Sequence, residues 1–107
     1  MSGIGALRRR VALERPDDAP DGAGGRVLGF AAMGAAWAEI APARAVEAVV
    51  AGRFDGIVTH RVTIRFRADV AGGWRVVLGG RTLRVLAAFD PDERRRRLVL
   101  LCEEAGR

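Results

Sequence analysis

The stretch THRVTIRFR, residues 59–67, alternates apolar and polar side chains along most of its length. A period of two is the mark of a strand with one face covered and one face open. Extended back to Ile57, it predicts a strand from about Ile57 to Arg67, with Val58, His60, Val62, Ile64 and Phe66 on the covered face. Thr59, Arg61, Thr63, Arg65 and Arg67 fall on the open one. Counting His60, four of the nine quoted residues can carry positive charge, so the strand raises a question about partners as well as about fold.

On the C-terminal side, WRVVLGGRTLRVLAAF (74–89) reads as two strands joined by Gly79-Gly80, whose glycines permit the backbone angles of a tight hairpin. DPDER (90–94) is a turn, and RRRLVLLCEE (95–104) leads into a last strand. Both faces of that strand are apolar, which predicts a neighbour on each side. On the N-terminal side, LRRRVALE (7–14) predicts a first strand ending at Pro16, and PDDAPDGAGG (16–25) a loop by its Pro, Asp and Gly content. The apolar run Val27–Ile40 has no clear period; a strand before Pro42 fits, and helix is an open alternative given the alanines. ARAVEAVVA (43–51) is rich in helix formers, with Gly52 as a stop, but too short for a helix stable by itself. The fold class is therefore mainly β: one domain, 1–107, built as a small antiparallel barrel or sandwich of five or six strands, with a loop or short helix between strands at about 41–56.

The 107 residues carry 18 basic and 13 acidic side chains, a formal net charge of +5. That balance favours anionic partners in general. All the basic residues are Arg, and the chain has no Lys, Asn, Gln or Tyr. A G+C-rich coding sequence produces this bias, which weakens the charge as an argument for nucleic-acid binding. One cysteine and one histidine exclude an internal disulfide and the usual zinc spacings. The opening residues hold no apolar core of signal-peptide length, and no run approaches the roughly 18 apolar residues of a membrane-spanning helix. A soluble chain made in the cytoplasm is expected, with no membrane partner.

Enzymes of this size announce themselves by a nucleophile and base, paired carboxylates or a ligand cluster. Ser2 is the only serine, Cys102 lies in an apolar strand, and no local motif gives His60 an orienting carboxylate. The acids at 17–21 and 90–93 suit turns, and GAGG leads into none of the lysine, threonine or helix that completes a phosphate cradle. No catalytic residue, metal or cofactor is expected. The arginines remain: runs at 8–10 and 94–97, and the stripe Arg61, Arg65, Arg67. Single-strand binders set aromatics between such charges so that bases can stack, and this stripe has none. An interface role is favoured over direct DNA contact, with a small basic nucleic-acid-binding β-barrel as the alternative.

Taken together, LRRRVALERP, DGAGG followed by WAEIAP, VTHRVTIRFR with WRVVLGGRTLRV behind it, and DPDERRRRLVLLCEE resemble the phage head–tail adaptor or head-closure (stopper) proteins, over nearly the whole chain. The G+C-rich composition also suits a gene transfer agent. The resemblance implies a small β-barrel that assembles as a six- or twelve-fold ring in the neck of a particle. The portal and adaptor would lie above it, the tail terminator or tail tube below, and packaged DNA in its channel. A tail-completion protein, similar in size, is the neighbouring possibility. The family's channel-closing loop corresponds here to residues 42–56, PARAVEAVVAGRFDG, which departs from the usual polar version by being rich in Ala and Val. The resemblance thus points to Arg44, Glu47, Arg53 and Asp55 at the channel or between subunits, and to Arg61, Arg65 and Arg67 at the ring interface.

Overall fold

The computed structural model describes residues 7–20, 26–44 and 56–104. Six strands follow one another: β1 (Arg9–Pro20), β2 (Arg26–Pro42), β3 (His60–Arg65), β4 (Arg75–Leu78), β5 (Arg81–Phe89) and β6 (Arg97–Glu104). They close into an antiparallel barrel in the order β1-β2-β3-β6-β5-β4. Closure comes from the pairing of β1 with β4, Ala12 opposite Val77 through Glu14 opposite Arg75. Gly79-Gly80 joins β4 to β5 as the sequence predicts, with Leu78 opposite Arg81 across the turn.

Alternation fills the interior. Val62 and Ile64 of β3 meet Leu100 and Leu98 of β6, Cys102 of β6 adds to them, and Val11, Leu13, Ala38, Val76, Leu83 and Val85 complete the core from the remaining strands. Val70 and Trp74 close the end at which β4 begins. A bulge in β5 changes the alternation: Val85 lies opposite Cys102, but Ala87, two residues on, lies opposite Leu101. The extra residue, Leu86, turns outward, and with Val58, Val99 and Leu101 it forms a second apolar cluster. This cluster explains why both faces of β6 are apolar.

Three expectations are corrected. The segment 16–25 is not all loop, because β1 continues to Pro20, paired residue by residue with β2 back to Arg26. Prolines are tolerated there because Arg15–Pro20 pair on one side only, as an edge strand does. Of the two readings open for 27–40, the strand holds. Val58 does not share the interior with Val62: the strand begins at His60, and Val58 joins the outer cluster. Thr63, expected in solvent, is 2% exposed. Of the loop or short helix expected at about 41–56, Ala41 and Pro42 end β2 and Ala43 and Arg44 are irregular, with the Ala43 N–H donating to the Thr59 carbonyl at 3.0 Å; residues 45–55 lie outside the described residues.

β1 and β2 outrun the barrel. β2 pairs with β3 only from Ala38 onward, and β1 pairs with β4 only up to Glu14. Beyond these points the two strands continue together as a two-stranded arm. Its base is fastened by an ion pair between Glu14 and Arg75 and by Arg75 lying 3.7 Å over the Phe30 ring. An irregularity between Ala12 and Glu14 places an extra residue in β2, where Gly34 takes the left-handed angle (φ 96°) that favours glycine.

Candidate functional site

The outer wall of β2, β3 and β6 gathers the charged side chains that alternation excludes from the core. Glu39, Thr63 and Val99 form one row across the three strands, Ala41, Arg61 and Leu101 the next. Arg65 and Arg97 sit directly opposite each other at the end of β3. These rows and the turn before β6 enclose a cleft of about 460 Å³ lined by Glu39, Arg44, Arg61, Thr63, Pro91, Arg97 and Val99. Three of the seven are arginines against one carboxylate, so the cleft is basic.

Like charges directly across a strand pair repel, and the turn at 90–96 moderates this. Asp92 pairs with Arg96 at 2.6 Å and lies 3.8 Å from Arg97. The Arg96 guanidinium, aided by the Arg94 backbone N–H, holds the Asp92 carboxyl down at about 2. Asp90 accepts the backbone N–H groups of Glu93 and Arg95 at 3.0 and 2.8 Å. Those two residues take the left-handed conformation, with φ of 59° and 56°, so the aspartate holds a turn that bulky residues adopt at a cost.

The sequence-derived residues divide accordingly. Arg44 and Arg61 line the cleft, and Arg65 is exposed beside it. Arg67 does not continue the stripe: it grips Asp69 with two hydrogen bonds of 3.1 and 2.8 Å and lies 6.0 Å over the Trp74 ring, because β3 has ended at Arg65. Glu47, Arg53 and Asp55 lie outside the described residues. Sequence reasoning missed Arg97 and Glu39 as members of the wall. Their signal was the pairing of β3 with β6, a contact between strands far apart in sequence.

The segment between β2 and β3 leaves and returns at the opposite end of the barrel. Its return is tight: a Cβ on Gly56 would lie 2.8–2.9 Å from side-chain atoms of Arg84, Glu103 and Leu86, and the positive φ of 149° is itself one that favours glycine. Glu103 pairs there with Arg84 at 2.7 Å, which with the Ile57 backbone N–H lowers its pKa below the usual carboxylate value. Beside it, His60 does have a carboxylate neighbour. Glu104 Oε1 lies 3.9 Å from His60 Nδ1, Thr59 Oγ1 is 2.9 Å from the same nitrogen, and Arg81 is 3.4 Å from Nε2. Arg81 also grips Glu104 at 2.8 and 3.1 Å. The cluster ties β3, β5 and β6 together. Cys102, opposite His60, donates its thiol to the Leu100 carbonyl at 3.7 Å, and burial pushes its pKa to about 12; near neutral pH it is a thiol, not a nucleophilic thiolate. Among the described residues no group of His, Cys, Asp and Glu could hold a metal ion. No helix among them is long and apolar enough to cross a membrane.

No curated protein matches the chain. Among solved structures it is similar to protein SF1141 from Shigella flexneri 2a, known from a solution structure, at 30% identity over 98% of each chain with a TM-score of 0.76. It is also similar to a chain of the virion of a native gene transfer agent particle, at 27% identity over 92% of this chain and 96% of that one, with a TM-score of 0.65. The family model for the phage head completion protein matches residues 3–105. A closed barrel with a charged outer wall, matched to that family over nearly its whole length, is a structural component of a head-to-tail assembly, and the chain belongs to the phage head completion protein family.

Proposed function

We propose that the chain is a stopper: copies form a six- or twelve-fold ring in the neck of a tailed phage or gene transfer agent, between the portal–adaptor complex and the tail. The ring retains packaged DNA and offers the tail terminator or tail tube its attachment surface. The chain is made in the bacterial cytoplasm and acts in the particle.

The observation that carries this reading is the outer wall. A closed barrel has no strand edge to offer, so contacts with other molecules fall to side chains on its wall and to the arm. Arg61, Arg65 and Arg97 lie together there, and arginine is the residue best suited to carboxylates at an interface. Arg67, engaged with Asp69, is left out of this role. The segment from Pro42 to Gly56 is the candidate channel element, with Arg44, Glu47, Arg53 and Asp55 facing the channel or a neighbouring copy. Its two ends are held together by the Ala43–Thr59 backbone bond, so its removal is compatible with an intact barrel.

Electron microscopy of particles from a strain lacking the gene tests the function. Filled or leaking heads separated from finished tails are expected; normal tailed particles would refute it. Deleting residues 46–52 is expected to release DNA from filled heads while the isolated domain stays folded, and unchanged DNA retention removes the channel role. The basic wall also supports the alternative of a nucleic-acid-binding barrel. That reading requires the isolated chain to bind DNA with a steep salt dependence.

A further inference from the structure

The two-stranded arm is the part of the molecule that the barrel does not explain. Among the described residues, Arg15–Pro20 of β1 and residues 26–31 of β2 pair only with each other. Six residues of β1 beyond Glu14 correspond to roughly 20 Å of extended chain, and the molecule measures 51 × 28 × 28 Å. A two-stranded ribbon alone is marginally stable in water. Contacts with the barrel support its base, but Arg15, Pro16 and Asp17 are exposed. The run PDDAPDGAGG, 16–25, holds three aspartates and no base, in a chain whose net charge is +5.

We propose that the arm of one copy lies against the basic wall of the next, placing Asp17 by the cleft bordered by Arg44, Arg61 and Arg97 and by the exposed Arg65. This rests on the ring reading above and names the carboxylates that the wall receives. Charge complementarity identifies the occupant: the wall presents arginines in excess, and the run 16–25, between Arg15 and Arg26, carries three acids and no base. An arm of roughly 20 Å on a barrel 28 Å across reaches the adjacent copy. The geometry also accounts for a ring rather than a pair. Arm and wall are different surfaces, so the contact is heterologous, each copy giving one and receiving one, and such a contact forms a ring where the rotation between copies closes.

The test places cysteines on both surfaces of the full chain, Asp17→Cys with Arg65→Cys, and treats purified particles with a short bis-maleimide. The native Cys102 is buried and does not compete. A ladder of covalent multiples is expected from the double variant, and monomer alone from either single variant. Particles that contain the double variant in normal amount yet yield only monomer overturn the arm contact and leave the ring reading standing. Particles from which the unaltered chain is absent overturn both. As a second measurement, Asp17→Arg with Asp18→Arg is expected to reduce the copies per particle by about tenfold or more. Adding Arg65→Asp is expected to restore part of the loss. Normal incorporation of the Asp17→Arg, Asp18→Arg chain overturns the proposal.

Discussion

The two tryptophans sit in opposite settings, and replacing each by alanine separates the packed interior from the outer wall. Trp74 is 4% exposed and closes one end of the core, while Trp37, on β2 opposite Arg10, is 51% exposed. Burying an aromatic of this size removes about 200 Å² from water, worth roughly 5 kcal/mol at about 25 cal/mol per Å². Mutational series place Trp→Ala in a core at about 3–5 kcal/mol. Small domains have about 5–15 kcal/mol of stability in all, so Trp74→Ala is expected to remove a large share of it and to lower Tm by at least about 12 °C. Trp37 forfeits at most half that area, and water fills the vacated place, so no cavity forms. Its further loss is the contact with Arg10, 5.4 Å from the ring centre, worth about 0.5–1 kcal/mol at an exposed site. Trp37→Ala is therefore expected to cost no more than about 3.5 kcal/mol, and less than Trp74→Ala. Urea unfolding followed by far-ultraviolet circular dichroism reads both variants against the unaltered chain. Equal losses at the two positions would refute the division into a packed interior and an exposed outer wall.

The Asp92 carboxyl, held at about 2 against an ordinary 3.8, makes a contribution to the folded state that is complete above the ordinary value and is lost as pH falls through about 2. The turn at 90–96 is expected to keep its amide chemical shifts down to about pH 3, and Asp92→Asn to abolish the change seen below that; a transition near pH 4 in the unaltered chain contradicts the Arg96 pairing. Cys102, with its thiol raised to about 12, is expected to react with a thiol reagent at about pH 8 only at the rate of unfolding, and immediate stoichiometric labelling contradicts its place in the core. Arg65→Glu is expected to change the stability of the isolated chain by no more than about 0.5 kcal/mol, as exposed substitutions do, while impairing particle assembly; normal assembly contradicts the interface role.

Local periodicity made most of the barrel legible. Val62 and Ile64, Leu83 and Val85, and Leu98 and Leu100 alternate inward as a period of two requires, and Gly79-Gly80 marked its own turn. What escaped depended on contacts between strands distant in sequence. Nothing near Val58 or Thr63 indicates that the outer wall is covered there, since their neighbours Leu86 and Val99 arrive with β5 and β6. The prolines at 16 and 20 argued for a loop because turn propensities assume a ladder on both sides of a strand, and here one side has none. The same limit applied to the site. Arg61 and Arg65 stood out as a stripe, but Arg97 and Glu39 joined them only through strand pairing, and Arg67 left the stripe because the strand stops two residues earlier.

Closure of the barrel and projection of the arm have opposite consequences for an assembly protein. Six strands that close on themselves leave no unpaired ladder to recruit a wrong partner, and the interior is complete within one chain, so the barrel does not need neighbours to fold. The arm reverses both conditions: its outer edges are unpaired and Asp17 faces solvent. Prolines and aspartates along such an edge discourage indiscriminate strand addition while leaving charge available for a matched surface. Stability thus resides in Leu13, Ile64, Leu83 and Leu100, all buried, whereas in the arm-to-wall contact proposed above association falls to Asp17, Arg61, Arg65 and Arg97, which can change without emptying the core. Substitutions of the first set should act on the isolated domain, and those of the second only where copies meet.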